Sequence, residues 1–128
     1  MKADEEYILD LGDVESFEDF IEKCNKGFIE SVGGKWNGSL DAFNDYLSWP
    51  EPNPYTLVLL GENSCRKALG HAAAAKRLSA ILETCHPENR KIVSKELENA
   101  QNMKGPTLWS IIVEIFDDNV EWVNVIYK

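Results

Sequence analysis

Tyr55-Thr56-Leu57-Val58-Leu59-Leu60 is an uncharged, mostly apolar run closed by Gly61. Pro50, Pro52 and Pro54 stand just before it, and no helix continues through them, because proline lacks the backbone N–H and its ring clashes with the preceding turn. A short apolar run between such boundaries reads as a strand, and its lack of polar alternation suits a strand covered on both faces. Upstream, Tyr7-Ile8-Leu9-Asp10-Leu11 reads as a shorter strand. Ser16 then caps a helix whose apolar stripe is Phe17, Phe20, Ile21 and Cys24, extending toward Phe28. Gly33-Gly34 permits a bend, and a second helix is expected over 39–48. Two strands joined through helices form a crossover, for which a parallel pair is the expected product. Downstream, Leu108-Trp109-Ser110-Ile111-Ile112-Val113-Glu114-Ile115-Phe116 reads as a largely buried helix and Trp122–Tyr127 as a terminal strand. The expected fold is α/β, a three-stranded parallel sheet covered by helices.

The second helix carries the chemistry. Ser39 is its N-cap, and Leu40, Phe43 and Leu47 fall on one face, with Asp41, Asn44, Asp45 and Ser48 on the other. Asp is a poor helix former, and like charges one turn apart cost a few tenths of a kcal/mol. Asp41 sits in the first turn, where the helix dipole favours a negative charge. Asp45 has no such compensation. A charged outer face by itself reads as solvated surface.

Trp36, the loop Asn37-Gly38-Ser39 and the run Leu40-Asp41-Ala42-Phe43-Asn44-Asp45-Tyr46-Leu47, followed by Trp49 and a proline-containing loop, resemble the signature of the barstar family. Its members are intracellular inhibitors of secreted barnase-like ribonucleases. The resemblance spans roughly residues 7–62 and 106–127 and is sharpest over 36–49. It implies a barstar-like fold that performs no chemistry, needs no cofactor or metal, and blocks a basic ribonuclease in a 1:1 complex. Asp41 and Asp45 take the place of the acidic anchors that enter the nuclease active site, with Trp36 as an aromatic anchor beside them. Lys35, Asn37, Gly38, Asn44 and Ser48 would complete the contact surface, and a further acidic contact maps to Glu114 or Asp117 on the last helix. The family pattern has an aromatic where this chain has Lys35, and another between the aspartates where this chain has Asn44. A lysine facing a cationic cleft is electrostatically unfavourable, so the implied target is another secreted or contact-delivered nuclease rather than barnase.

Charge agrees in sign with that implication. Residues 1–64 hold 14 Asp/Glu against 4 Lys/Arg, a net −10; residues 65–104 hold 4 against 8, a net +4; residues 105–128 hold 4 against 1, a net −3. An acidic surface repels nucleic acid and speeds encounter with a basic partner. It also serves plain solubility. At 128 residues and 44% hydrophobic the chain suits a single domain spanning 1–128. No apolar run approaches the ~20 residues of a membrane span, and Met1–Glu6 lacks the basic start and apolar stretch of a signal peptide. A cytoplasmic protein, monomeric when free, is expected. Cys24, Cys65 and Cys85 are odd in number and widely spaced, which fits reduced thiols and no zinc spacing.

Residues 63–104 are longer than the resemblance implies and read as an inserted helical pair. One helix is expected from Ser64 to Glu83 and a second from Pro87 to about Gln101. Arg66, Lys67, Lys76 and Arg77 are its prominent cations, read as solvated or paired with acidic groups of the same molecule. An enzyme lacks a nucleophile elbow or phosphate loop here, and its only histidines, His71 and His86, lie in the insertion. Two readings stand beside the inhibitor: an interaction module of the same fold with a non-nuclease partner, and a small carboxylate-dependent hydrolase. The second is disfavoured because carboxylates on adjacent helical turns sit side by side rather than across a scissile bond.

Overall fold

The computed structural model describes residues 6–128; the first five residues of the stretch read above for a leader lie outside the described residues. Strand β1 (Glu6–Asp10) is followed by α1 (Phe17–Cys24), α2 (Leu40–Tyr46) and β2 (Tyr55–Leu60), then α3 (Glu62–Ala68), α4 (His71–Thr84), α5 (Arg90–Gln101), α6 (Leu108–Asp118) and β3 (Val123–Tyr127). The sheet order is β1-β2-β3 with both pairs parallel, as the crossover reading expects. Leu9, Tyr55, Leu57, Leu59 and Val123 enter the main core, and Tyr7 and Val125 pack against it. The register sets Ile8, Val58 and Ile126 in one row on the opposite face. There Val58 is buried but stands outside the main core cluster, and Ile8 is 55% exposed. Coverage of β2 on both faces is therefore only partly met.

Ser16 accepts from the Asp19 N–H at 3.1 Å and starts α1 as expected. The helix does not stop at Cys24. It widens into one π turn over Asn25–Ile29 and tightens into a 3₁₀ turn over Glu30–Val32, ending at Gly33 with φ +88°. The widened turn brings both Phe28 and Ile29 fully into the core. Gly27 makes room for it, since a Cβ there would collide with the Leu9 side chain. Around Phe20 the core is aromatic: Trp36, Phe43 and Trp109 have ring centroids 6.1, 6.2 and 5.8 Å from it.

The single helix expected over 64–83 is two. The break falls at Leu69-Gly70, where Leu69 leaves helical geometry (φ −111°, ψ 45°) and becomes fully buried. Leu69 O accepts from the Trp109 N–H at 2.7 Å, and Gly70 O, which already takes the Ala74 N–H at 3.1 Å in the first turn of α4, also accepts from the Leu108 N–H at 3.4 Å. The break thus supplies acceptors to the first turn of α6, whose N–H groups have none within their own helix. Ala74 is the buried alanine of α4, while Ala80 is exposed. Pro87 opens a 3₁₀ turn that runs into α5, close to the expected helix start. Among the described residues no helix is long and apolar enough to cross a membrane.

Cys24 and Cys65 are buried and Cys85 half-buried, all three free. Burial pushes the Cys24 thiol well up and the Cys65 thiol up to about 12, so both stay protonated in neutral solution. In the native protein at about pH 8, Cys85 is expected to react promptly with a thiol reagent, and Cys24 and Cys65 only on denaturation. Three fast thiols in the native state would contradict this packing.

Candidate functional site

Helix α2 is short, seven residues, and is fixed from below rather than by its own propensity. Ser39 Oγ accepts from the Ala42 N–H at 3.3 Å, and Leu40, Phe43 and Leu47 are buried beneath the helix. Phe43 meets Phe116 of α6 at 5.6 Å. Buried Asn119, just past α6, donates to Asn44 Oδ1 and to Ile115 O, both at 2.8 Å. These contacts hold Asp41 and Asp45 outward, both exposed. Among the described residues neither aspartate has a cation within the 4.0 Å limit of an ion pair. The helix therefore carries like charges one turn apart without an ion pair to either, Arg77 of α4 acting on Asp41 from beyond that distance.

The loop ahead of α2 is held from the π turn. Asn25, buried, receives the Trp36 N–H on Oδ1 at 2.7 Å and donates from Nδ2 to Trp36 O at 2.9 Å. A side-chain amide here replaces a neighbouring strand. Tyr46 Oη bridges Lys35, accepting from its N–H at 3.3 Å and donating to its carbonyl at 3.1 Å. Gly38, at φ +107°, turns the chain over Ile21, and Asn37 Oδ1 accepts from the Ser39 N–H at 3.3 Å. Asn25→Ala leaves two backbone groups of Trp36 buried and unsatisfied. It is expected to cost roughly 2–4 kcal/mol in denaturant unfolding; a loss below about 1 kcal/mol would mean the loop is held by something else.

Trp36 is not an exposed anchor. It is 2% exposed, with Phe43 at 4.6 Å and Phe17 at 5.7 Å, and its Nε1–H donates to Ser39 O at 2.7 Å. Its place in the motif is structural, because it supports the N-cap of α2 from inside. Asn44 is also partly engaged: its carbonyl oxygen is taken by Asn119, leaving its NH₂ for any partner. Ser48 donates to Asp45 O at 2.9 Å, a capping contact. Lys35 and Asn37 are exposed, as the contact reading needs. Glu114 and Asp117 are exposed on α6, and no hydrogen bond or ion pair among the described residues ties either to α2. Asp117 acts instead on Tyr127 at the end of β3, whose hydroxyl burial raises to about 12.

The exposed aromatic close to the aspartates in the chain is Trp49. It is 46% exposed, four residues beyond Asp45, and packs edge-on against Tyr46 at 4.7 Å. Asp41 and Asp45 lie one turn apart on the exposed side of α2, and Trp49 follows four residues on, just past the end of the helix. The spacing was visible in the sequence, but nothing there distinguishes an exposed tryptophan from a buried one.

The basic residues of 65–104 meet acidic ones nearby. Arg66 pairs with Glu62 at 3.3 Å and Lys76 with Glu18 at 3.8 Å. Arg77 is half-buried; burial lowers its pKa against the opposing pull of Glu96 and Asp41. His71 contacts Gly105 O at 3.0 Å, and His86 Nδ1 accepts from the Glu88 N–H at 3.2 Å, both far in sequence from the aspartates. Comparison with protein-family profiles, curated proteins and solved structures gives no match to this chain.

Proposed function

We propose that this chain is a barstar-like inhibitor of a basic ribonuclease, acting in the cytoplasm in a 1:1 complex and performing no chemistry of its own. The observation that carries the reading is the pair Asp41 and Asp45, exposed on a helix seated by its buried face and, among the described residues, in no ion pair. Such a pair is unfavourable to the helix and suited to a cationic cleft. The aspartates would stand where substrate phosphates sit, accepting charge-assisted hydrogen bonds from arginine, lysine or histidine. Trp49 takes the role of aromatic anchor, the residue type that dominates interface energetics. A solvated surface accounts for the charges; the exposed indole close behind them in the chain adds the apolar contact that an interface would use.

Association with the ribonuclease is expected to be fast in dilute salt and to slow steeply between about 20 and about 500 mM, since attraction from the acidic segment is screened beyond about 10 Å at 0.1 M. Dissociation should change less. Stopped-flow mixing checks this, and an association rate indifferent to salt would remove electrostatic steering from the proposal.

A further inference from the structure

A groove of about 660 Å³ opens beside Asp41. One wall is the first turn of α1 together with the loop Asn37–Ser39, and the other is α4, where Ala72, Ala73 and Ala80 leave space that longer side chains would fill. Phe17, Ile21 and Ile81 supply apolar surface. Sites of this size hold a small ligand or a side chain or two. Three carboxylates, Glu15, Glu18 and Asp41, line it against two cations, Lys76 and Arg77. Lys76 is taken by Glu18 at 3.8 Å, and Arg77 already feels Asp41 and Glu96. Among the described residues Glu15 and Asp41 remain without an ion-pair partner. Three carboxylates against two cations leave the rim one negative charge in surplus around an apolar interior.

The geometry points to this groove as the pocket for a bulky apolar side chain of the partner, adjacent in the partner to the arginine or lysine that Asp41 receives. This rests on the reading of α2 as the partner-binding helix, and it gives the segment 63–104 a role in the same interface. Asp41 belongs to both features, being at once the first carboxylate of the exposed pair on α2 and part of the groove lining. A cation held at Asp41 brings its sequence neighbours within reach of Phe17 and Ile81. Helix α4 then acts as a selector: the partner must carry an apolar residue beside its cation, a pairing that charge alone does not require.

The test uses three short probes with blocked ends: acetyl-Arg-Phe-Arg-amide, acetyl-Arg-Ala-Arg-amide and acetyl-Glu-Phe-Glu-amide, titrated against the ¹⁵N-labelled full chain by NMR. The first is expected to bind saturably and to shift the amide signals of Phe17, Ile21, Ala73 and Ile81. The alanine probe should bind about tenfold more weakly, the size of effect lost with one buried aromatic contact, and the glutamate probe not at all. Ala72→Trp and Ala80→Trp, at exposed positions of α4 that tolerate a larger side chain, should abolish the preference for phenylalanine. Equal binding of the arginine probes, no saturation of the first by about 10 mM, or equal binding of the glutamate probe would overturn the proposal; the last would mean a pocket for apolar molecules at large. Groove shifts that grow with protein concentration and no peptide would also overturn it, naming a second copy of the chain as occupant. A chain that selects the first probe but inhibits no ribonuclease keeps the pocket and loses the inhibitor reading. A chain that inhibits but shows no selection does the reverse.

Discussion

Trp36→Ala is expected to lower folding stability by about 3–5 kcal/mol, the range for deleting a large buried aromatic, and to reduce inhibition only through unfolding. The indole is buried among Phe17, Phe20 and Phe43, and its Nε1–H holds the carbonyl of the residue that caps α2. Its loss would open a cavity and free the N-terminus of α2 together. Trp49→Ala should behave oppositely. Trp49 is 46% exposed and packs mainly on Tyr46, so its removal should cost folding less than about 1 kcal/mol and binding about 2 kcal/mol or more. Thermal unfolding and inhibition measured on both variants separate the two roles. Equal effects of the two on folding would contradict the burial described here.

Asp41→Ala and Asp45→Ala are expected to leave the fold intact and to weaken binding by about 2–5 kcal/mol each, because a cation of the nuclease is then buried unpaired. Barnase–barstar is among the systems behind that range, so its size is a property of such interfaces and does not come from this structure. On the folding side each variant replaces a weak helix former with the strongest one and removes the like-charge contact. Asp41→Ala also loses a favourable dipole interaction, so its net effect on stability should be near zero, while Asp45→Ala should be neutral or stabilising by up to about 0.5–1 kcal/mol. Loss of binding with no loss of stability is the mark of a side chain kept for function. Destabilisation above about 2 kcal/mol by Asp45→Ala would mark a structural carboxylate instead.

The parallel sheet was legible in the sequence because β2 is an apolar run between a proline loop and a glycine, and because Ser16 and Ser39 cap their helices by local chemistry alone. What stayed hidden is set by tertiary hydrogen bonding. The break at Leu69-Gly70 lies in a segment rich in helix formers, and its partners are the first N–H groups of α6, which bond to Leu69 O and Gly70 O. Asn25 reads as an ordinary polar residue following a helix until the π turn carries it under Trp36. The site was legible in part for the same reason. The aspartate spacing follows from helical periodicity, whereas burial of Trp36 and exposure of Trp49 depend on which indole finds Phe20 and Phe43. The space beside Asp41 is formed between α1 and α4, which are far apart in the chain, and no local pattern encodes it.

The most direct measurement is a titration of ribonuclease activity, across a panel of basic secreted ribonucleases that includes barnase, with the wild-type chain and with the Asp41→Ala/Asp45→Ala double variant, each shown to be folded by circular dichroism. The expected result is complete inhibition of at least one enzyme at one equivalent of wild type, and no inhibition at that concentration by the double variant. A folded wild type that inhibits none of the panel, or a double variant that inhibits at the same equivalence point, would contradict the assignment of α2 as a nuclease-blocking helix.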